Sequence, residues 1–197
     1  MIIHTSHRTD DVQESHKKYF EFVKGSIDEW KFLLRSSNDD GYEEDGLADE
    51  ITKLKEAHFE LAKTYKDLTD FEILISKKLI HKAIEHIHVI EFNATRGKIG
   101  ELVDWDDAAI YARILIGGMG LDRGYTVKGL TVTYMTRETQ GNTKLDTLMQ
   151  RARFFGYHKS YSGLIRIFLT DGLKDSFRNL FDIIYQLIEG EYGIKAV

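Results

Sequence analysis

The sequence predicts an α/β domain in which a mostly parallel sheet is flanked by helices and carries a long α-helical hairpin as an insertion. Three observations lead there. Five short β-rich stretches are spread over the 197 residues. Helical patterns and loops separate them, the alternation that gives crossover-linked parallel strands rather than hairpins. Between the first and second stretch, residues 10–85 hold helical periodicity instead, and read as an insertion within one domain spanning 1–197.

Ile2 and Ile3, followed by the polar His4-Thr5-Ser6, read as a short strand running into a turn, and Asp10 and Asp11 stand where a helix cap is needed. Val12, Tyr19, Val23, Ile27, Trp30 and Leu34 then recur at spacings near three and four, which makes one apolar face over about seven turns. Residues 36–46 (SSNDDGYEEDG) are acidic, polar and Gly-containing, and break that pattern as a loop. Leu47, Ile51, Leu54, His58, Leu61 and Tyr65 alternate by four and three, so they share one seam of a second helix that turns back on the first. A third helical stretch is expected over about 70–83. The composition then turns β-rich at 86–92 (HIHVIEF), and further strands are expected at 112–116, 130–135 and 164–169, with a helix over about 143–155. A last helix sets Leu180, Phe181, Ile184, Leu187 and Ile188 on its apolar face.

Hydrophobic residues at 42% and charged residues at 30% fit a globular protein, and no apolar run approaches the ~20 residues of a membrane span. The first residues lack the basic and apolar regions of a signal peptide, so a cytoplasmic location is expected. The absence of Cys removes disulfides, thiolate metal sites and Cys nucleophiles together. A net charge of −5 hides an asymmetry: residues 1–107 are net −9 and residues 108–197 net +4. The acidic half is either a solvated helical face or a docking surface, and basic character gathers where the motifs lie.

Ligands of an open parallel sheet sit at the carboxyl ends of strands, which draws attention to the segment after 112–116. It runs GGMGLDRGYT over 117–126, with four Gly, Arg123 and Asp122. Glycines such as Gly118, Gly120 and Gly124 let a backbone approach phosphate closely, and Arg123 offers a forked donor; a tight turn that simply needs glycine is the alternative. The dinucleotide fingerprint fails because Gly118 is followed five positions later by Arg123, and no Gly-Lys-Ser/Thr exists for a Walker A loop. A second motif, LDTLMQRARFFGY over 145–157, places Gln150, Arg151 and Arg153 on a helix ending at Gly156. An Arg held beside a Gly-rich loop is how motors present an arginine finger to a γ-phosphate bound elsewhere. A metal-dependent nuclease is a further reading, since Glu91, Asp104, Asp106 and Asp107 with His86 and His88 are ligands that suit a hard divalent ion. Asp106 and Asp107 also fit as caps of the turn before Ala112.

Residues 114–129 resemble helicase motif V, and Gln150 to Arg153 resemble the Gln-x-Gly-Arg form of motif VI. More closely, 117–134 (GGMGLDRGYTVKGLTVTY), Asp146 to Gln150 and Arg153 to Tyr157 resemble the Z-one domain family of endonucleases linked to restriction systems, and Ile2 to Ser6 resemble its motif IV region. The resemblance implies a RecA-like lobe, the helicase superfamily-two C-terminal-like domain. It further implies that Arg153 is the finger, that Gln150 orients phosphates, and that Arg123 and Thr126 line the nucleotide edge beside Gly118, Gly120 and Gly124. His4, Ser6 and Lys128 would meet a nucleic-acid backbone. ATP would be shared with an N-terminal ATP-binding lobe, in the same or another chain, which also holds Mg²⁺, and DNA is the expected polymer. The family pattern shows Asn-x-Leu-Ser-Arg-Gly and Gln-Met-Gly-Arg where this chain has Met119 to Gly124 and Gln150-Arg151-Ala152-Arg153. The functional expectation is therefore the second lobe of a nucleic-acid-dependent ATPase of a restriction or defence system. The alternatives are the nuclease, or a non-catalytic interaction module on a degenerate motor fold.

Overall fold

A computed structural model describes residues 1–5, 9–36, 47–76, 78–92, 103–104, 106–117, 127, 129–136 and 159–192. The predicted helix over 143–155, nearly all of the acidic loop at 36–46 and the Gly-rich segment fall outside these residues. In chain order the described elements are β1 (Ile2–His4), α1 (Thr9–Ser36), α2 (Ala48–Ala62), α3 (Phe71–Ser76), α4 (Leu79–Glu85), β2 (Ile87–Phe92), β3 (Ala112–Gly117), β4 (Val132–Met135), a 3-10 turn (Lys159–Leu164), β5 (Arg166–Leu169) and α5 (Asp171–Tyr192). The five strands form one sheet in the order β2-β3-β1-β4-β5, and every pairing is parallel.

Where boundaries differ from expectation, local backbone chemistry explains it. The helical stretch at 70–83 is two helices, because Lys78 takes a left-handed φ of 52° and interrupts the turn between α3 and α4. Asp70 Oδ1 accepts from the Glu72 N–H at 2.9 Å and starts α3. β4 begins two residues late, since Gly129 takes φ 67° and Leu130 buries itself leading into the strand. β5 begins at Arg166 because the residues before it close a 3-10 turn.

Pleat alternation assigns the two faces. Ile87 and Ile90 lie three apart on β2 and enter different clusters. On one face Ile2, Leu115 and Met135 of the sheet meet Leu173, Phe177 and Leu180 of α5, with Val103 and Leu130 from the connections. On the other, Leu34 of α1, Leu47 before α2 and Ile84 of α4 pack with Trp30, Ile51 and Ile87. Each such side chain contributes about 1.5–3 kcal/mol when fully buried. Among the described residues α1 thus packs on α4, β2 and β3, and meets α2 near Leu34, Leu47 and Ile51. His58 lies between α2 and α3: its ring meets Phe71 edge-on at 5.5 Å and its Nε2 bonds the Thr69 carbonyl at 2.8 Å. Phe181, expected inside, is 53% exposed, because Leu173, Phe177, Leu180 and Ile184 make the stripe that faces the sheet.

Candidate functional site

The strand order decides where a ligand fits. The chain leaves β1 towards β2 and leaves β4 towards β5, so the connections diverge between these two neighbours, and the carboxyl ends of such a pair are where open parallel sheets take ligands. Hydrogen bonds lace the strand ends together there. The Thr5 N–H donates to the Gly117 carbonyl at 3.1 Å, joining β1 to β3. The N–H and Oγ1 of Thr136 both donate to the His4 carbonyl, at 3.3 and 3.1 Å, joining β4 to β1. His4 is 7% exposed and Thr5 is fully buried, an unusual place for polar side chains unless hydrogen bonds hold them. At the end of β5 the Thr170 hydroxyl is also buried.

Of the residues expected to act on nucleotide or nucleic acid, His4 is the one described, and it sits inside this edge rather than on the surface. Ser6, Gly118, Gly120, Arg123, Gly124, Thr126, Lys128, Gln150 and Arg153 lie outside the described residues. Their points of attachment are nonetheless fixed. Gly117 ends β3 beside β1, and Val127 rejoins the chain against the main core. Sequence reasoning missed Thr5, Thr136 and Thr170 as a set. The signal was present, since each is the first residue after a short apolar strand.

Of the carboxylates and histidines weighed for metal binding, Asp104 and Asp107 hold turns. His88 shares a strand face with Ile90, and the pleat sends Glu91 to the opposite face. Asp104 Oδ1 accepts from the Asp106 N–H at 3.0 Å, and Asp107 Oδ1 from the Ala109 N–H at 2.9 Å, so Asp104 and Asp107 stabilise turns before β3. Among the described residues no three His, Asp or Glu side chains are grouped to hold a metal ion.

A family model, the Z1 domain, matches residues 1–190. The chain belongs to the Z1 domain family. The match runs from β1 into α5, so the whole sheet and its laced carboxyl edge fall inside the Z1 domain. No curated protein and no solved structure matches the chain.

Proposed function

We propose that this Z1 domain is the second, RecA-like lobe of a nucleic-acid-dependent, helicase-like ATPase in a cytoplasmic restriction or defence system. In this reading residues 10–85 form a helical insertion between β1 and β2. The observation that carries it is that the Gly- and Arg-rich segment follows the carboxyl end of β3, next to β1, where the connections of β1 and β4 diverge. That is where an open parallel sheet receives a phosphorylated ligand.

A separate N-terminal lobe, in this or another chain, would hold ATP and Mg²⁺. This lobe would add positive charge from the other side. Backbone N–H groups around Gly118, Gly120 and Gly124 would approach the phosphates, Arg123 would fork onto their oxygens and Thr126 would line the edge. Gln150 would orient the phosphates, and Arg153 would neutralise charge that develops on the transferred group. Ser6 and Lys128 would lie towards the DNA backbone, whereas His4 is buried in the strand edge. Asp122 stands where the family pattern has Ser and Ala152 where it has Gly, so turnover by this member is expected to be slow.

The test is Arg153→Ala in the two-lobed protein. A finger acts on the transition state, so kcat should fall by roughly 10³-fold while the Kd of a fluorescent ATP analogue moves less than about threefold. Equal loss of kcat and nucleotide affinity, or no loss of either, overturns the assignment.

A further inference from the structure

We infer that the open face of β4 and β5 is a stacking platform for the bases of single-stranded nucleic acid, separate from the carboxyl edge described above. Tyr134 and Phe168 are register partners on these neighbouring strands, so their rings stand side by side on one face. The residues flanking them, Thr133, Met135, Ile167 and Leu169, turn to the other face and into the core. The two ring centroids are 6.2 Å apart with planes tilted by 42°. Tyr134 is 38% exposed and Phe168 51% exposed. One exposed aromatic residue is unremarkable on any surface; a paired set on the outward face of a sheet is a recognition surface.

The surrounding charge selects the partner. Residues 129–136 and 159–170, which hold both strands and the segments leading into them, contain Lys159 and Arg166 and no carboxylate, in a chain that is net −5. A polyanion with accessible π faces matches both properties. A duplex keeps its base faces inside its own stack, whereas a single strand can lay successive bases on aromatic rings. Arg166, on the same face as Phe168, fixes the border of the platform. Its Nη2 donates to the Glu60 carbonyl at 3.1 Å and to Thr64 Oγ1 at 2.8 Å, which holds the end of α2 there. On the same helix Phe59 is 64% exposed, with the Lys63 ammonium 5.1 Å from its ring centre and paired with the Glu60 carboxylate.

This inference rests on the nucleic-acid part of the function proposed above and is independent of ATP. The experiment is fluorescence anisotropy of a 5′-labelled oligothymidylate of 20 nucleotides, at low salt, with the full chain and with Tyr134→Leu, Phe168→Leu and the double variant. Leu keeps apolar bulk and removes the ring. Each single change should weaken binding by roughly tenfold and the double by about a hundredfold, with unchanged circular dichroism, while Phe168→Trp should retain affinity. Wild-type binding that survives both Leu changes overturns the platform and leaves the motor reading standing. Wild-type protein that binds no oligonucleotide overturns the platform and DNA contact together, and the ATPase assay then judges the motor separately. A variant that keeps DNA affinity but changes the sedimentation of the chain overturns it in favour of a protein interface. Should the double variant fail to fold, photocrosslinking of wild type to iodouracil-substituted oligonucleotide decides: adducts on Tyr134 or Phe168 support the platform, and adducts confined to other residues overturn it.

Discussion

Gly163 shows how a single residue can fix the placement of a helix. Its carbonyl accepts from Thr64 Oγ1 at 2.6 Å, and a Cβ built on it would collide with the Thr64 carbonyl oxygen. The lack of a side chain therefore allows α2 to approach the 3-10 turn, and Arg166 then reaches the Glu60 carbonyl near the last turn of that helix, where cations are favoured. Gly163→Ala should cost about 1–3 kcal/mol, because the obstructing atom is backbone and cannot swing away. Arg166→Met keeps the alkyl stem and should cost about 1–3 kcal/mol through carbonyls left unpaired. Urea unfolding of both variants is the check; stabilities equal to wild type would show that α2 is held by apolar packing alone.

Among the elements, the joint between α3 and α4 carries a strain that can be relieved. Lys78 occupies the left-handed region, which costs an L-residue with a Cβ roughly 1 kcal/mol. Lys78→Gly should raise stability by about 0.5 kcal/mol after the added freedom of the unfolded chain is deducted, visible as a higher melting temperature; a lower one would mean that the lysine side chain holds the joint. This joint was also invisible in the sequence, since 70–83 reads as one continuous apolar pattern and a positive φ at lysine has no compositional mark. Strand existence was legible, because Ile2-Ile3, the β-rich stretch at 86–92 and Ala112 to Ile116 are strongly β-forming. Helix partnership was less so. The seam through Leu47, Ile51 and His58 looks complementary to α1, yet α4 and β2 take most of that face of α1, a tertiary choice that periodicity does not encode. At the carboxyl edge, the threonines that follow the strands were visible in the sequence, but which strands they lace together was readable only once strand order was known.

For a molecule whose first residue is Met1, stability should depend on pH near neutrality. Burial lowers the pKa of the Met1 ammonium, which donates to the Arg113 carbonyl at 2.8 Å, from 8.0 to about 6. A cationic group whose pKa is depressed by folding resists protonation in the folded state. Its stabilising effect is therefore complete above the unfolded value of 8 and is lost as pH falls towards 6. Burial and the neighbouring Lys78 also lower the pKa of His81, so protonation of that ring acts with the same sign. In a chain beginning at Met1, the urea midpoint should rise between pH 5.5 and 8.5, by up to about 2–3 kcal/mol in stability. Acetylating the amino group should flatten most of the slope, and a midpoint that falls over this range would contradict the burial of that amine.

The placement of β1 has a consequence for how the chain acquires its structure. Ile2 pairs with Leu115 on one side and Thr133 on the other, so the central strand of the sheet pairs only with strands that come more than a hundred positions later. Such contacts are of high sequence separation, and closing them means ordering a long intervening loop before any pairing is gained. During synthesis β1 emerges early and waits unpaired while α1 to α4 form from local contacts. The sheet can nucleate only after β3 has left the ribosome, which makes refolding of this domain slow for its size and leaves the apolar Ile2 and Ile3 unpaired until then.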